Sequence, residues 1–145
     1  MGSIIVALDC NGKPDPLLEA ATTQAIAFQD EIYFIHIVEA SPDFVGFDVG
    51  PDVVRDQMAK QFHKEHSQLQ EVSTRARSMG CKSTALLLQG PIVDLLVDQG
   101  KKLKVRLLIA GSHGRGRVHQ AVLGSTVHGL IRKADFPVLI VPARG

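Results

Sequence analysis

Five short apolar runs, at residues 3–8, 32–38, 84–88, 105–110 and 137–142, alternate along this sequence with longer stretches whose apolar residues recur every third or fourth position. That alternation is the strongest constraint on the fold. A continuous apolar run of roughly four to eight residues suits a strand covered on both faces, and the helical recurrence suits a helix with one buried stripe. Parallel strands need crossover connections, the crossovers are right-handed, and the helices then cover both faces of the sheet. The expectation is a single α/β domain over residues 1–145, built on a doubly wound, five-stranded parallel sheet.

The stretches between the runs read accordingly. A turn-rich loop over 10–16 leads to a first helix carrying Leu18, Ala21, Ala25 and Phe28 at helical spacing. Residues 39–50 mix Pro42, two glycines and two aspartates with the apolar Phe44, Val45 and Phe47, which suggests a flap rather than a tight turn. From about 53 to 79, Met58, Phe62, Leu69, Val72, Ala76 and Met79 trace one long amphipathic helix that Gly80 ends. Gly90-Pro91 opens a helix with Ile92, Leu95, Leu96 and Leu103 inward, and the last helix carries Val127, Leu130, Ile131 and Ala134. Prolines at 137 and 142 bound the final run, as on an edge strand. An apolar edge invites self-association, whereas its prolines could blunt it.

Bulk composition narrows the function. The length of 145 residues is enough for a core without metal or disulfide support, and 45% hydrophobic with 21% charged residues is a globular balance. A net charge of +1, no Trp and a single Tyr argue against a nucleic-acid surface, which needs a basic excess and aromatic platforms. Cys10 and Cys81 form no C-x-x-C pair and read as free thiols of a reducing compartment. The opening run is too short to span a membrane and has no charged leader, so the cytoplasm is the expected location.

The stretch from Leu107 to Thr126 carries the chemistry. The fourth apolar run breaks at Gly111, a Gly/Arg-rich loop follows with His113, Gly114, Arg115 and Arg117, and Gly124-Ser125-Thr126 opens the last helix. Glycines let backbone N–H groups approach a ligand closely. A helix N-terminus favours anions, and arginines add charge and forked donors. Each glycine taken alone has an ordinary reading as a strand end or a helix start, and His113 could shape the turn or touch a phosphate. Two glycine clusters flanking basic residues, one after a buried strand and one opening a helix, together suit a polyphosphate. In a doubly wound sheet such ligands sit beyond the carboxyl ends of the strands where strand order reverses. Asp9, after the first run, would then accept from a ribose hydroxyl or an adenine amine if the first and fourth strands are neighbours.

Other motifs fail on their spacing. Gly124 is followed by Ser125 without a lysine, so there is no Walker A loop, and Gly111 to Gly116 reads G-x-x-G-x-G, not the dinucleotide fingerprint. There is no G-x-S-x-G elbow and no set of clustered carboxylates with an acid/base division, so no catalytic residue is assigned. His63 and His66 lie one turn apart on the long helix without a third ligand and read as solvated, not as a metal site. His36, in a buried run, reads as a hydrogen-bonded core residue.

The pattern Gly111-Ser112-His113-Gly114, nine residues from Arg115 to Leu123, then Gly124-Ser125, resembles the nucleotide-binding subset of the universal stress proteins. Asp9 after the first run and the final Pro-Val-Leu-Ile-Val-Pro run are similar to that family as well. The resemblance implies strand order 3-2-1-4-5 in an adenine-nucleotide α-hydrolase-like arrangement. It implies ATP as the ligand, with or without Mg2+, with AMP or ADP as alternatives. Adenine would meet the main chain of Ile37 or Val38 and the residues Ala7 and Asp9. The phosphates would fall on Gly111, Gly114, Gly124, Ser125 and Thr126, with Ala110, His113 and Arg115 beside them. It also implies a homodimer through the strand from Val138 to Val141, acting in stress response or regulation through a protein partner. The alternatives are a slow ATP-hydrolysing or adenylating enzyme of a related fold, and a dimeric scaffold whose cradle holds an adventitious anion. One departure stands out: the family's first loop commonly reads Asp-Gly-Ser, and here it reads Asp9-Cys10-Asn11-Gly12.

Overall fold

Each apolar run forms a strand, and each periodic stretch a helix, in strict alternation. In the computed structural model the order is β1 (Ser3–Ala7), α1 (Asp15–Phe28), β2 (Glu31–Val38), α2 (Pro51–Ser78), β3 (Ser83–Gln89), α3 (Ile92–Leu103), β4 (Leu107–Gly111), α4 (Ser125–Lys133) and β5 (Val138–Val141). The structure describes residues 2–9, 14–39, 51–112 and 124–142, with the side chains of 51–58 left out.

The five strands form one parallel sheet in the order β3-β2-β1-β4-β5, with β5 at an edge, as the resemblance implied. Two apolar layers sandwich it. On one face Ile4, Val6, Ile32, Phe34 and Ile109 pack with Leu18, Ala21 and Ala25 of α1 and Leu69, Val72 and Ala76 of α2. On the other, Ile5, Ile35, Ile37, Leu108 and Ala110 pack with Leu96 and Val97 of α3 and Leu130 of α4. Period-2 alternation along each strand sends neighbouring residues to opposite layers, which is why the runs are continuously apolar. Each fully buried Ile, Leu or Phe contributes about 1.5–3 kcal/mol.

Three helices stop in the same way. Gln29, Gly80 and Lys104 sit at φ 59°, 93° and 50°, and the next residue donates its N–H back into the helix: Asp30 to Ala25 O, Cys81 to Ala76 O and Val105 to Gly100 O. This is the Schellman closure, with a left-handed residue followed by a buried one. It corrects one boundary. Residues 105 and 106 read as part of the fourth strand, but Val105 completes the end of α3 and Arg106 donates to Ser3 O, so β4 begins at Leu107. Other inward readings also fail: Phe28, Met79 and Ile131 are about half exposed, at 49%, 49% and 58%. The first two lie in the last turn of a helix or just past it, where the apolar stripe has already left the sheet.

At the amino ends of the strands Asp30 is buried and accepts from Gly2 N–H at 2.8 Å and from Arg106 Nε at 2.6 Å. Burial works against its charge, yet the bonds from Arg106 and Gly2 outweigh it and hold the carboxyl below the usual carboxylate range. The Arg106 guanidinium also lies 4.7 Å from the centroid of the Phe28 ring.

Candidate functional site

The first and fourth strands are neighbours: Ala7 pairs with Ala110, and the chain order reverses between β1 and β4. Asp9 and Gly111 therefore leave the sheet side by side at its carboxyl rim, which is the crevice where such sheets receive ligands. Two main-chain bonds bring α4 to the same place. Ser112 donates to Val141 O at 2.9 Å, and Gly124 donates to Ser112 O at 2.9 Å.

Gly124 is the N-cap of α4 at φ −68°, ψ 162°, extended backbone that any residue adopts. A glycine there is not required by conformation. The first intrahelical bond runs from His128 N–H to Gly124 O, so the N–H groups of Ser125, Thr126 and Val127 have no helical acceptor. Ser125 is exposed and Thr126 half-buried, while Val127 and Leu130 anchor the helix in the core. Gly129 lies against Val93 of α3, and Lys133 Nζ reaches Asp94 Oδ1 at 3.0 Å. The open end of α4 is thus held by a packed helix pair.

The end of β2 completes the rim. Main-chain groups of successive strand residues point to opposite neighbours. Ile32 donates to Lys82 O, so the even residues of β2 face β3; Ile35 O accepts from Leu8 N–H, so the odd ones face β1. Val38 accordingly pairs with Gln89, and its carbonyl accepts from Gly90 N–H at 2.9 Å. The ladder to β1 ends at the pair Ala7 and Ile35, which leaves the main chain of Ile37 with no partner among the described residues.

Of the residues singled out from the sequence, Ala7, Asp9, Ile37, Val38, Ala110, Gly111, Gly124, Ser125 and Thr126 come to this rim. His113, Gly114 and Arg115 lie outside the described residues, as do Arg117, Cys10 and nearly all of the 39–50 stretch. His63 and His66 are exposed on α2, as read, and no group of three metal-ligating side chains occurs among the described residues. His36 is a hydrogen-bonded core residue, as read, but its partners were not foreseen: Leu8 O at 2.8 Å from Nδ1 and Glu65 Oε2 at 3.2 Å from Nε2. Glu65 is 4% exposed and sits in the stripe of Phe62, Leu69 and Val72, so its spacing carried the signal. The role of Ser112 in tying α4 to β5 was not legible, since the two bonds that make the tie are main-chain.

An open parallel sheet with a helix N-terminus facing its switch point belongs to the doubly wound α/β domains that receive anionic ligands at that crevice. The sequence model of the universal stress protein family matches residues 1–142, and the chain belongs to that family. A universal stress protein of Methanocaldococcus jannaschii is 32% identical over 132 residues, which are 88% of this chain and 75% of that protein. Among solved structures, a universal stress protein from Archaeoglobus fulgidus in complex with dAMP has a TM-score of 0.66 at 20% identity, covering 97% of this chain and 98% of that one. A universal stress protein in complex with cAMP has a TM-score of 0.65 at 20% identity, covering 97% and 96%. At these identities the structural likeness is one of fold.

Proposed function

We propose that this chain is an adenine-nucleotide-binding regulatory protein whose ligand lies across the rim between β1 and β4, with ATP as the physiological nucleotide. The observation that carries the reading is the convergence at one crevice of a helix N-terminus without a side-chain cap and the main chain of Ile37, which is unengaged among the described residues. The first suits phosphates, and an amide N–H with its carbonyl suits the donor and acceptor edge of adenine. Two proteins of the same fold that are complexed with dAMP and cAMP support the ligand class.

In this reading adenine is met by Ile37 rather than Val38, because the main chain of Val38 is committed to β3. Asp9 takes the ribose side, and Gly111, Gly124, Ser125 and Thr126 take the phosphates, with His113, Gly114 and Arg115 closing over them. The protein works as a binding module in the cytoplasm, dimerising through Val138–Val141 and passing nucleotide occupancy to a protein partner. Gly124→Val tests the site. Its backbone accepts valine without strain, so the fold stays, while the side chain fills the approach to the helix N-terminus; ATP affinity falls at least tenfold, and unchanged affinity would mean the cradle is elsewhere.

A further inference from the structure

We infer that His36 is a positioning residue that keeps the rim open: its imidazole takes the acceptor that the main chain of Ile37 would otherwise bond, and so holds Ile37 available for a nucleotide base. The inference rests on the adenine-nucleotide reading of the rim for its consequence, but not for its geometry.

The parallel ladder between β1 and β2 has a definite next step. After Leu8 donates to Ile35 O, the regular continuation is Ile37 N–H donating to Leu8 O. That bond is not made, and Leu8 O instead receives His36 Nδ1 at 2.8 Å. A carbonyl oxygen only accepts, so Nδ1 carries the hydrogen. The substitution satisfies Leu8 O, which would be costly to bury unpaired, and lets β1 part from β2 one residue before Asp9. Ile37 keeps its N–H and carbonyl on the side facing the crevice.

The ring cannot drift from this position. His36 is 5% exposed, its Nε2 meets Glu65 Oε2 at 3.2 Å, and Gln61 Nε2 donates to Glu65 Oε1. A carboxylate on the far ring nitrogen fixes ring orientation, much as it does for histidines in metal and catalytic sites. Glu65 belongs to α2 and Leu8 to the end of β1, so one imidazole links the long helix to the strand end that feeds the site. A histidine serving the core alone would not need to displace a ladder bond.

The test is amide hydrogen exchange by NMR with AMP titration, on the intact chain. In nucleotide-free wild-type protein the Ile37 amide exchanges at least tenfold faster than the Ile35 amide, which the ladder protects. In His36→Leu/Glu65→Leu, which removes both polar partners together and strands no carboxylate, Ile37 N–H bonds Leu8 O. Its exchange slows at least tenfold, and AMP affinity falls at least tenfold. His36→Asn, whose side-chain amide stands where Nδ1 stood, returns both values toward wild type. An Ile37 amide as protected as Ile35 in the wild-type protein overturns the inference without recourse to any variant, as does a double variant that exchanges Ile37 like wild type. Failure of wild-type protein to bind AMP would overturn the nucleotide reading instead, and the exchange comparison would still decide the role of His36.

Discussion

Gly129→Ala is the substitution whose outcome depends most directly on how α4 is seated. Within an exposed helix, alanine in place of glycine stabilises by about 1 kcal/mol through backbone entropy. Here the added Cβ would stand 2.6 Å from Val93 Cγ2 and 3.2 Å from Cγ1, where ordinary contact begins near 3.4 Å. Valine in a helix is held close to one χ1 rotamer, so Val93 cannot swing aside, and α3 and α4 must separate by close to an ångström. Overpacking of this kind costs about 1–3 kcal/mol, which exceeds or cancels the propensity gain and leaves the variant destabilised by up to about 2 kcal/mol. For a chain of this size that lowers Tm by up to roughly 8 °C. Val93→Ala removes both clashing methyls, so in a double-mutant cycle the pair recovers at least about 1 kcal/mol relative to additivity. Thermal melts of the four proteins decide it. A Gly129→Ala variant that melts above wild type, with an additive cycle, would refute the close approach and with it the seating of the α4 N-terminus.

Three further outcomes follow from the same structure. The folded-state pKa of Asp30 lies below its unfolded value near 3.9, so its contribution to stability is complete above that value and is lost as pH falls through the folded pKa. Melts between pH 5 and 2.5 will show Tm falling more steeply for wild type than for Asp30→Asn; equal slopes would contradict the buried pairing with Arg106. In β5 the odd residues face β4, since Pro137 O and Val141 O accept from Leu108 and Ser112, which turns the main chain of Ile140 to the open edge. Ile140→Pro removes an outward donor and no ladder bond, so light scattering will find a dimer in wild type and a monomer in the variant, whereas an unchanged mass would place any dimer contact elsewhere. Gly124→Val weakens ATP binding at least tenfold with little change in Tm, as set out above.

The sheet was legible because strand and helix periods differ and each run is buried on both faces. Ile4, Ile5 and Val6 are all fully buried, so no alternation had to be guessed. Helix ends were legible only where glycine marks them. Gly80 announces the end of α2, but Gln29 and Lys104 adopt the same left-handed conformation with no such signal, which is why β4 was read two residues too early. The rim was legible in Gly111 at the end of β4, in Gly124 at the start of α4 and in Asp9. What stayed hidden was made by the backbone: that the main chain of Val38 is committed to β3 and that of Ile37 is not depends on strand parity, and the Ser112 tie on main-chain bonds. The His36–Glu65 pair was hidden by distance in sequence, 29 residues apart and joined only by the crossover.

The most direct test of the nucleotide reading is calorimetric titration of ATP and of AMP into nucleotide-free protein, beside sodium sulfate at the same ionic strength. Saturable binding of the nucleotides at one site per chain, with no comparable response to sulfate, is the predicted result. No heat from either nucleotide would contradict it, and equal binding of sulfate and ATP would leave the rim as a nonspecific anion site.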